Sequence, residues 1–201
     1  MKFHENIAET AALSPDYLGF IFYDKSARYF ENDIPSMATS IQKTGVFVNA
    51  SFDEIAAKVK QHKLDLVQLH GEESPEFCQT IEEKLVKVIK TFNINKQFNF
   101  RHLENYFNFC SFYLFDTKGN QYGGNGIAFD WTLLENYHLP KPYFLSGGIG
   151  PEKLKELQLF LQNDTAKNCH AIDLNSKFET KPGWKNQETL KTFIQNLKQQ
   201  L

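Results

Sequence analysis

Short apolar runs and helical stretches alternate along this chain from one end to the other, and few folds tolerate that pattern. The runs DYLGFIFY (16–23), VFVNA (46–50), DLVQLHG (65–71), LVKVIKTF (85–92), SFYLFD (111–116), PYFLSGG (142–148) and CHAIDLNS (169–176) have strand length and are rich in aromatic and branched residues. Helical spacing or helix-start signals mark 4–13, 34–41, 52–63, 75–85, the region around 102–107, 130–136, 151–162 and 186–200. Asp33 with Pro35, Ser74 with Pro75, and Pro151 supply the start signals for three of them. Seven strands alternating with eight helices predict a parallel sheet, because parallel neighbours need a crossover and a helix is the usual one.

Two architectures fit: a TIM (β/α)8-type barrel and a doubly wound open sheet. The strands end in Tyr23, Asn49, His70, Thr91, Asp116, Gly147 and Asn175, mostly small or polar, which suits a barrel whose site lies at the strands' C-terminal ends. The opening helix is the irregularity. A barrel of this kind begins with a strand, so the chain reads as a barrel lacking its first strand. Residues 1–201 carry no linker, repeat or low-complexity tract, and 41% apolar residues can build one sizeable core, so a single barrel domain, incomplete at the N-terminus, is expected.

A net charge of −2 gives no electrostatic case for nucleic acid or an anionic membrane. No apolar run approaches the ~18 residues of a membrane span, and MKFHENIAET lacks a signal-peptide core. Three widely spaced cysteines, Cys78, Cys110 and Cys169, read as reduced thiols and predict a cytoplasmic protein.

The chemistry concentrates at strand ends. The run Phe112–Phe115 stops at Asp116 and enters a glycine-dense loop with Gly119, Gly123, Gly124 and Gly126. Asp116 either serves a site or simply opens a turn. The loop is no P-loop, since Asn125 stands where a lysine is required. Ser146-Gly147-Gly148 and Asn175-Ser176 follow the last two strands, where βα barrels often hold a phosphate; two ordinary turns are the alternative. Arg28, after the first strand, is able to grip a carboxylate with two parallel hydrogen bonds, or to be a solvated loop arginine. Gln68 and His70 share one strand face, with His70 at the edge. The six histidines show no metal-binding spacing, so no metal is expected, and no cysteine occupies a strand's C-terminal end.

In order, DYLGFIFYDKSARY, GVFVN, VQLHGEE, FDTKGNQYGGNGIAFDW, LSGGI and AIDLNSKFE-x-x-PG resemble phosphoribosylanthranilate isomerase, a TIM-barrel family of tryptophan biosynthesis. The joint occurrence is specific, although each motif alone is weak. The resemblance implies an Amadori rearrangement of N-(5-phosphoribosyl)anthranilate, an aminoaldose phosphate, to an aminoketose phosphate without a cofactor. It implies that Asp116 is the general acid, that Arg28 holds the anthranilate carboxylate, and that Gly147, Gly148, Asn175 and Ser176 hold the phosphate. It places Asp173 at the barrel mouth as an acid, and His70 and Gly124 are further candidates for the substrate site. Lys177 stands where the family usually has glycine, so the phosphate contact there is expected to differ.

The resemblance also implies a departure. The family's first strand ends in Cys-Gly, the cysteine being its general base, and Met1-Lys2 aligns just beyond it. A start placed at an internal methionine accounts for this more simply than a natural loss. Little isomerase activity is therefore expected, with His70 the first replacement base to examine. The alternative is a non-catalytic barrel binding a sugar phosphate or a protein partner. The small-molecule substrate is the partner expected, to a monomer or homodimer.

Overall fold

The computed structural model describes residues 1–117 and 129–199. Its centre is a sheet of seven strands in chain order: β1 (Tyr17–Ile21), β2 (Gln42–Phe47), β3 (Leu66–Leu69), β4 (Lys87–Ile94), β5 (Phe112–Thr117), β6 (Tyr143–Leu145) and β7 (Cys169–Ile172). Every neighbouring pair is parallel. Alternation along each strand sends side chains to two separate layers. Leu66, Ile89, Leu114 and Phe144 form an inner cluster, joined by Tyr17, Phe112 and Ala171. Tyr17 belongs to the first strand and Ala171 to the last, so the sheet curls until its ends approach. The Tyr17 hydroxyl lies 2.7 Å from His170 Nε2 of β7. The barrel reading is thus borne out over the open sheet.

Curling does not close the ladder. Among the described residues β1 pairs with β2 and β7 with β6, but β1 and β7 do not pair with each other. Met1 is buried at this seam, its amine 2.5 Å from the Gly19 carbonyl.

The outer layer is covered by α1 (His4–Ala11), α2 (Phe52–His62), α3 (Pro75–Lys84), α4 (Leu154–Leu161) and α5 (Gln187–Lys198). Local chemistry starts several of them. Ser51 and Glu54 form a reciprocal capping box on α2, and Ser74 caps α3 ahead of Pro75. Phe100–Tyr106 and Trp131–Asn136, expected as helices, are 3₁₀ segments, and Pro151–Lys153 is a 3₁₀ turn that leads into α4.

Two local expectations fail. No helix forms over 34–41. Ile34, Met37 and Ile41 instead reach the core one by one from an irregular segment. Pro35, Ser36, Thr39 and Ser40 offer little helical propensity to oppose that packing. After β7 the chain makes an unexpected hairpin, β8 (Glu179–Lys181) and β9 (Trp184–Lys185), turning at Pro182-Gly183. Gly183 takes φ +82°, which the glycine makes inexpensive. The first helix docks on this hairpin. The buried Asn6 side chain donates to the Lys185 carbonyl at 2.9 Å and accepts from its N–H at 2.6 Å, completing backbone groups that no strand pairs.

Candidate active site

A cavity of about 420 Å³, within the range of small-molecule sites, runs from Asp16 and Tyr17 at the start of β1 to a mouth at the C-terminal ends of the strands. Arg28, His70, Asp116, Gly147, Asp173 and Ser176 all line it, as do Gly148 and Asn175. Strands β1, β3, β5, β6 and β7 each deliver a sequence-predicted residue to one mouth. Gly124 lies outside the described residues.

Asp116 is near the end of β5 and buried, its Oδ1 accepting the Thr117 N–H at 2.8 Å. Its Oδ2 faces His70 Nε2 at 3.4 Å. His70 follows β3, and its Nδ1 accepts from Gln68 Nε2 at 3.0 Å; the same amide reaches Thr91 Oγ1 at 3.2 Å. A polar line therefore runs across β3, β4 and β5 on the inner face. Behind it, Lys90 Nζ bridges Glu73 Oε2 at 2.8 Å and the Gly71 carbonyl at 2.6 Å, and Glu73 accepts from the N–H groups of Asn49 and Gly71. That buried pair anchors the loop carrying His70.

Opposite Asp116, Asp173 accepts from Ser146 Oγ at 2.8 Å. Burial pushes the Asp173 carboxyl up from its ordinary value, and the Asp116 charge adds to this, against the Ser146 hydrogen bond and the Lys185 charge. Gly147 and Gly148 between them adopt φ +88° and +64°. A side chain at Gly147 is doubly excluded, since its Cβ would lie 2.3 Å from Thr117 Oγ1 and 2.6 Å from Thr117 N. This turn lets the backbone pass close to whatever sits at the mouth.

The rim at β1 and β7 is built by charge. Arg28 Nε and Nη2 both donate to Glu179 Oε2, at 2.9 and 2.6 Å, and Nε also reaches Oε1 at 3.1 Å. Lys185 Nζ donates to Glu179 at 3.2 Å and to the Asn175 carbonyl and side chain at 3.0 and 2.8 Å. Burial by itself would raise the Glu179 carboxyl, but the Arg28 hydrogen bond and the two cations hold it below its ordinary value. Burial lowers the Lys185 ammonium, with Glu179 and Asp173 opposing.

Sequence reasoning missed Lys185 and the pairing of Arg28. The Pro182-Gly183 turn was the available signal, since it folds β9 back beneath the rim. Asn175, expected at a phosphate, has its side-chain oxygen committed to Lys185. No cysteine reaches the mouth: Cys78 and Cys110 are buried elsewhere, Cys169 is at the start of β7, and burial pushes all three thiols up to about 12.

The model of the family described as N-(5'phosphoribosyl)anthranilate (PRA) isomerase matches residues 2–196. This chain belongs to that family. A phosphoribosylanthranilate isomerase of Parabacteroides distasonis is 40% identical, the match covering 98% of this chain and 90% of the relative. The fold agrees as well. The crystal structure of phosphoribosyl anthranilate isomerase from Thermus thermophilus matches with TM-score 0.85 and 25% identity, over 99% of this chain and 96% of that one. A phosphoribosyl anthranilate isomerase in complex with reduced 1-(o-carboxyphenylamino)-1-deoxyribulose 5-phosphate matches with TM-score 0.77 and 29% identity, over 99% and 95%. Among the described residues no helix is long and apolar enough to cross a membrane.

Proposed function

We propose that this chain is an N-(5'-phosphoribosyl)anthranilate isomerase acting in tryptophan biosynthesis, and that Asp116 is its general acid. The observation that carries the reading is the convergence of Asp116, Arg28 and the Gly147-Gly148 turn on one cavity. The phosphate lies against the backbone N–H groups of Gly147, Gly148 and Ser176. Lys177 adds charge there: its contact with Glu152, 3.6 Å long and exposed, is weak enough to exchange for a phosphate oxygen. Arg28, held on its Nε–Nη2 edge by Glu179, turns Nη1 to the anthranilate carboxylate.

The reaction then runs in balanced steps. Asp116 gives its proton to the ring oxygen as the C1′–O bond breaks and its electron pair goes to that oxygen. The anilino nitrogen forms a C=N⁺ bond with C1′. Solvent water takes the C2′ proton, whose electron pair moves into a C1′=C2′ bond and neutralises the nitrogen. Return of a proton to C1′, with loss of the C2′ hydroxyl proton, gives the ketone. The second step is the weak one here, since no thiol of this chain stands at the mouth to take the C2′ proton.

The test is the loss of phosphoribosylanthranilate fluorescence with purified protein. Slow turnover is expected, and Asp116→Asn lowers it by a further ~10²–10⁴-fold. Binding of the reduced product analogue without turnover would favour a non-catalytic sugar-phosphate barrel instead, the reading supported by the distant cysteines. The absence of both turnover and binding would overturn the assignment.

A further inference from the structure

His70 Nε2 is a buried polar atom with no hydrogen-bond partner among the described residues. It lies 3.4 Å from Asp116 Oδ2, close in space but too poorly aligned to bond. Native interiors leave few such atoms unmet, and each calls for a reason. Nδ1 accepts a hydrogen from Gln68, so in the neutral ring the hydrogen is on Nε2. The ring is therefore a fixed donor aimed at the acid, on a loop anchored from behind by the buried Lys90–Glu73 pair. While Asp116 holds its proton on Oδ2, that oxygen is a poor acceptor. Once the proton has gone, it is a carboxylate oxygen and a strong one.

We propose that His70 is a positioning residue for Asp116: locked as its Nε2–H tautomer by Gln68, it hydrogen-bonds the carboxylate that Asp116 becomes on protonating the substrate. This rests on the assignment of Asp116 as the acid. The step moves one proton from Asp116 to the ring oxygen and leaves one negative charge on Asp116. His70 donates a hydrogen bond to that charge and transfers nothing. A preorganised donor of this kind acts where charge develops rather than on the bound substrate, so it belongs in kcat and not in KM. Thr91, which holds the Gln68 amide, is the third member of the line.

Kinetics and nitrogen NMR test this on the whole chain. His70→Ala is expected to lower kcat about 10–100-fold with KM within about 3-fold, because one donor to the developing charge is lost. His70→Gln, whose amide N–H replaces Nε2–H but cannot titrate, is expected to return kcat to within about 5-fold of wild type. A His70→Ala kcat within about 2-fold of wild type, or a Gln variant no better than Ala, would overturn the proposal. Independently of turnover, ¹⁵N shifts should show His70 as the Nε2–H tautomer, giving way in part to Nδ1–H in Gln68→Leu. With the reduced product analogue bound, the Nε2–H proton should move downfield in wild type but not in Asp116→Asn. An Nδ1–H tautomer in wild type refutes the proposal even if the rate is too low to measure. A protein that neither turns over nor binds the analogue refutes the isomerase assignment instead, and the tautomer is still read from the free protein.

Discussion

The two walls of the mouth hold their functional groups by different means. On the wall of β3, β4 and β5 the strands pair continuously, and the ladder itself spaces Gln68, Thr91 and Asp116 across the inner face. At the seam, β1 and β7 do not pair among the described residues, and side chains do the positioning. There Glu179 draws Arg28 and Lys185 together, and Asn6 of α1 completes the backbone of Lys185. A backbone ladder tolerates the loss of one side chain. A charge network with a buried and a half-buried cation on one carboxylate does not.

That contrast sets the size of the expected effects. Glu179→Gln should be the most damaging substitution, because it leaves Lys185 without its buried counter-charge and frees Arg28; a loss of about 3–5 kcal/mol in urea unfolding is expected. The equivalent change on the ladder wall, Glu73→Gln, should cost less, about 1–3 kcal/mol, since it leaves one cation without its counter-charge rather than two and the strands on both sides stay paired. If Glu73→Gln costs more than Glu179→Gln, the contrast is wrong.

Asn6→Ala should come next at the seam, at about 1–3 kcal/mol, because it strands the buried N–H and C=O of Lys185 together. Amide exchange at Lys185 would report the opening directly.

The smallest effects are those of pH, and two carboxylates on the β7 side carry them with opposite signs. Glu179 is held below its ordinary value, so its contribution is present above about pH 4.5 and is lost as pH falls through its folded pKa. Asp173 is pushed up, so any stability linked to it is full below about pH 3.8 and declines as pH rises through its folded pKa. Asp173→Asn should therefore raise the melting temperature at pH 7 relative to wild type and leave it nearly unchanged at pH 3.5. An equal shift at both pH values would mean that Asp173 is not strained by burial. Its hydrogen bond from Ser146 can survive in the asparagine variant, which keeps the comparison clean.

Much of this site was legible before any coordinates. Asp116 stands at the end of an apolar run, and Gly147-Gly148 at the end of another, so a parallel α/β chain must bring them to one rim. The commitment of Arg28 was not legible. Glu179 is 151 residues away, and only the curl of the sheet puts the loop after β1 beside the hairpin after β7. The segment 34–41 failed for a related reason. Its apolar spacing fits a helix, but Ile34, Met37 and Ile41 find their partners separately on the core.

Periodicity is a property of near neighbours, and so the sequence by itself determined the alternation of strand and helix, their order around the barrel, and the acid at its mouth. Those follow because each strand must bury both faces and each crossover must cover one of them. The tertiary structure decided the partners: which carboxylate holds Arg28, which helix finishes the Lys185 backbone, and which nitrogen of His70 faces Asp116. These depend on distances between residues far apart in the chain, which are set only when the sheet has curled and its two ends have met.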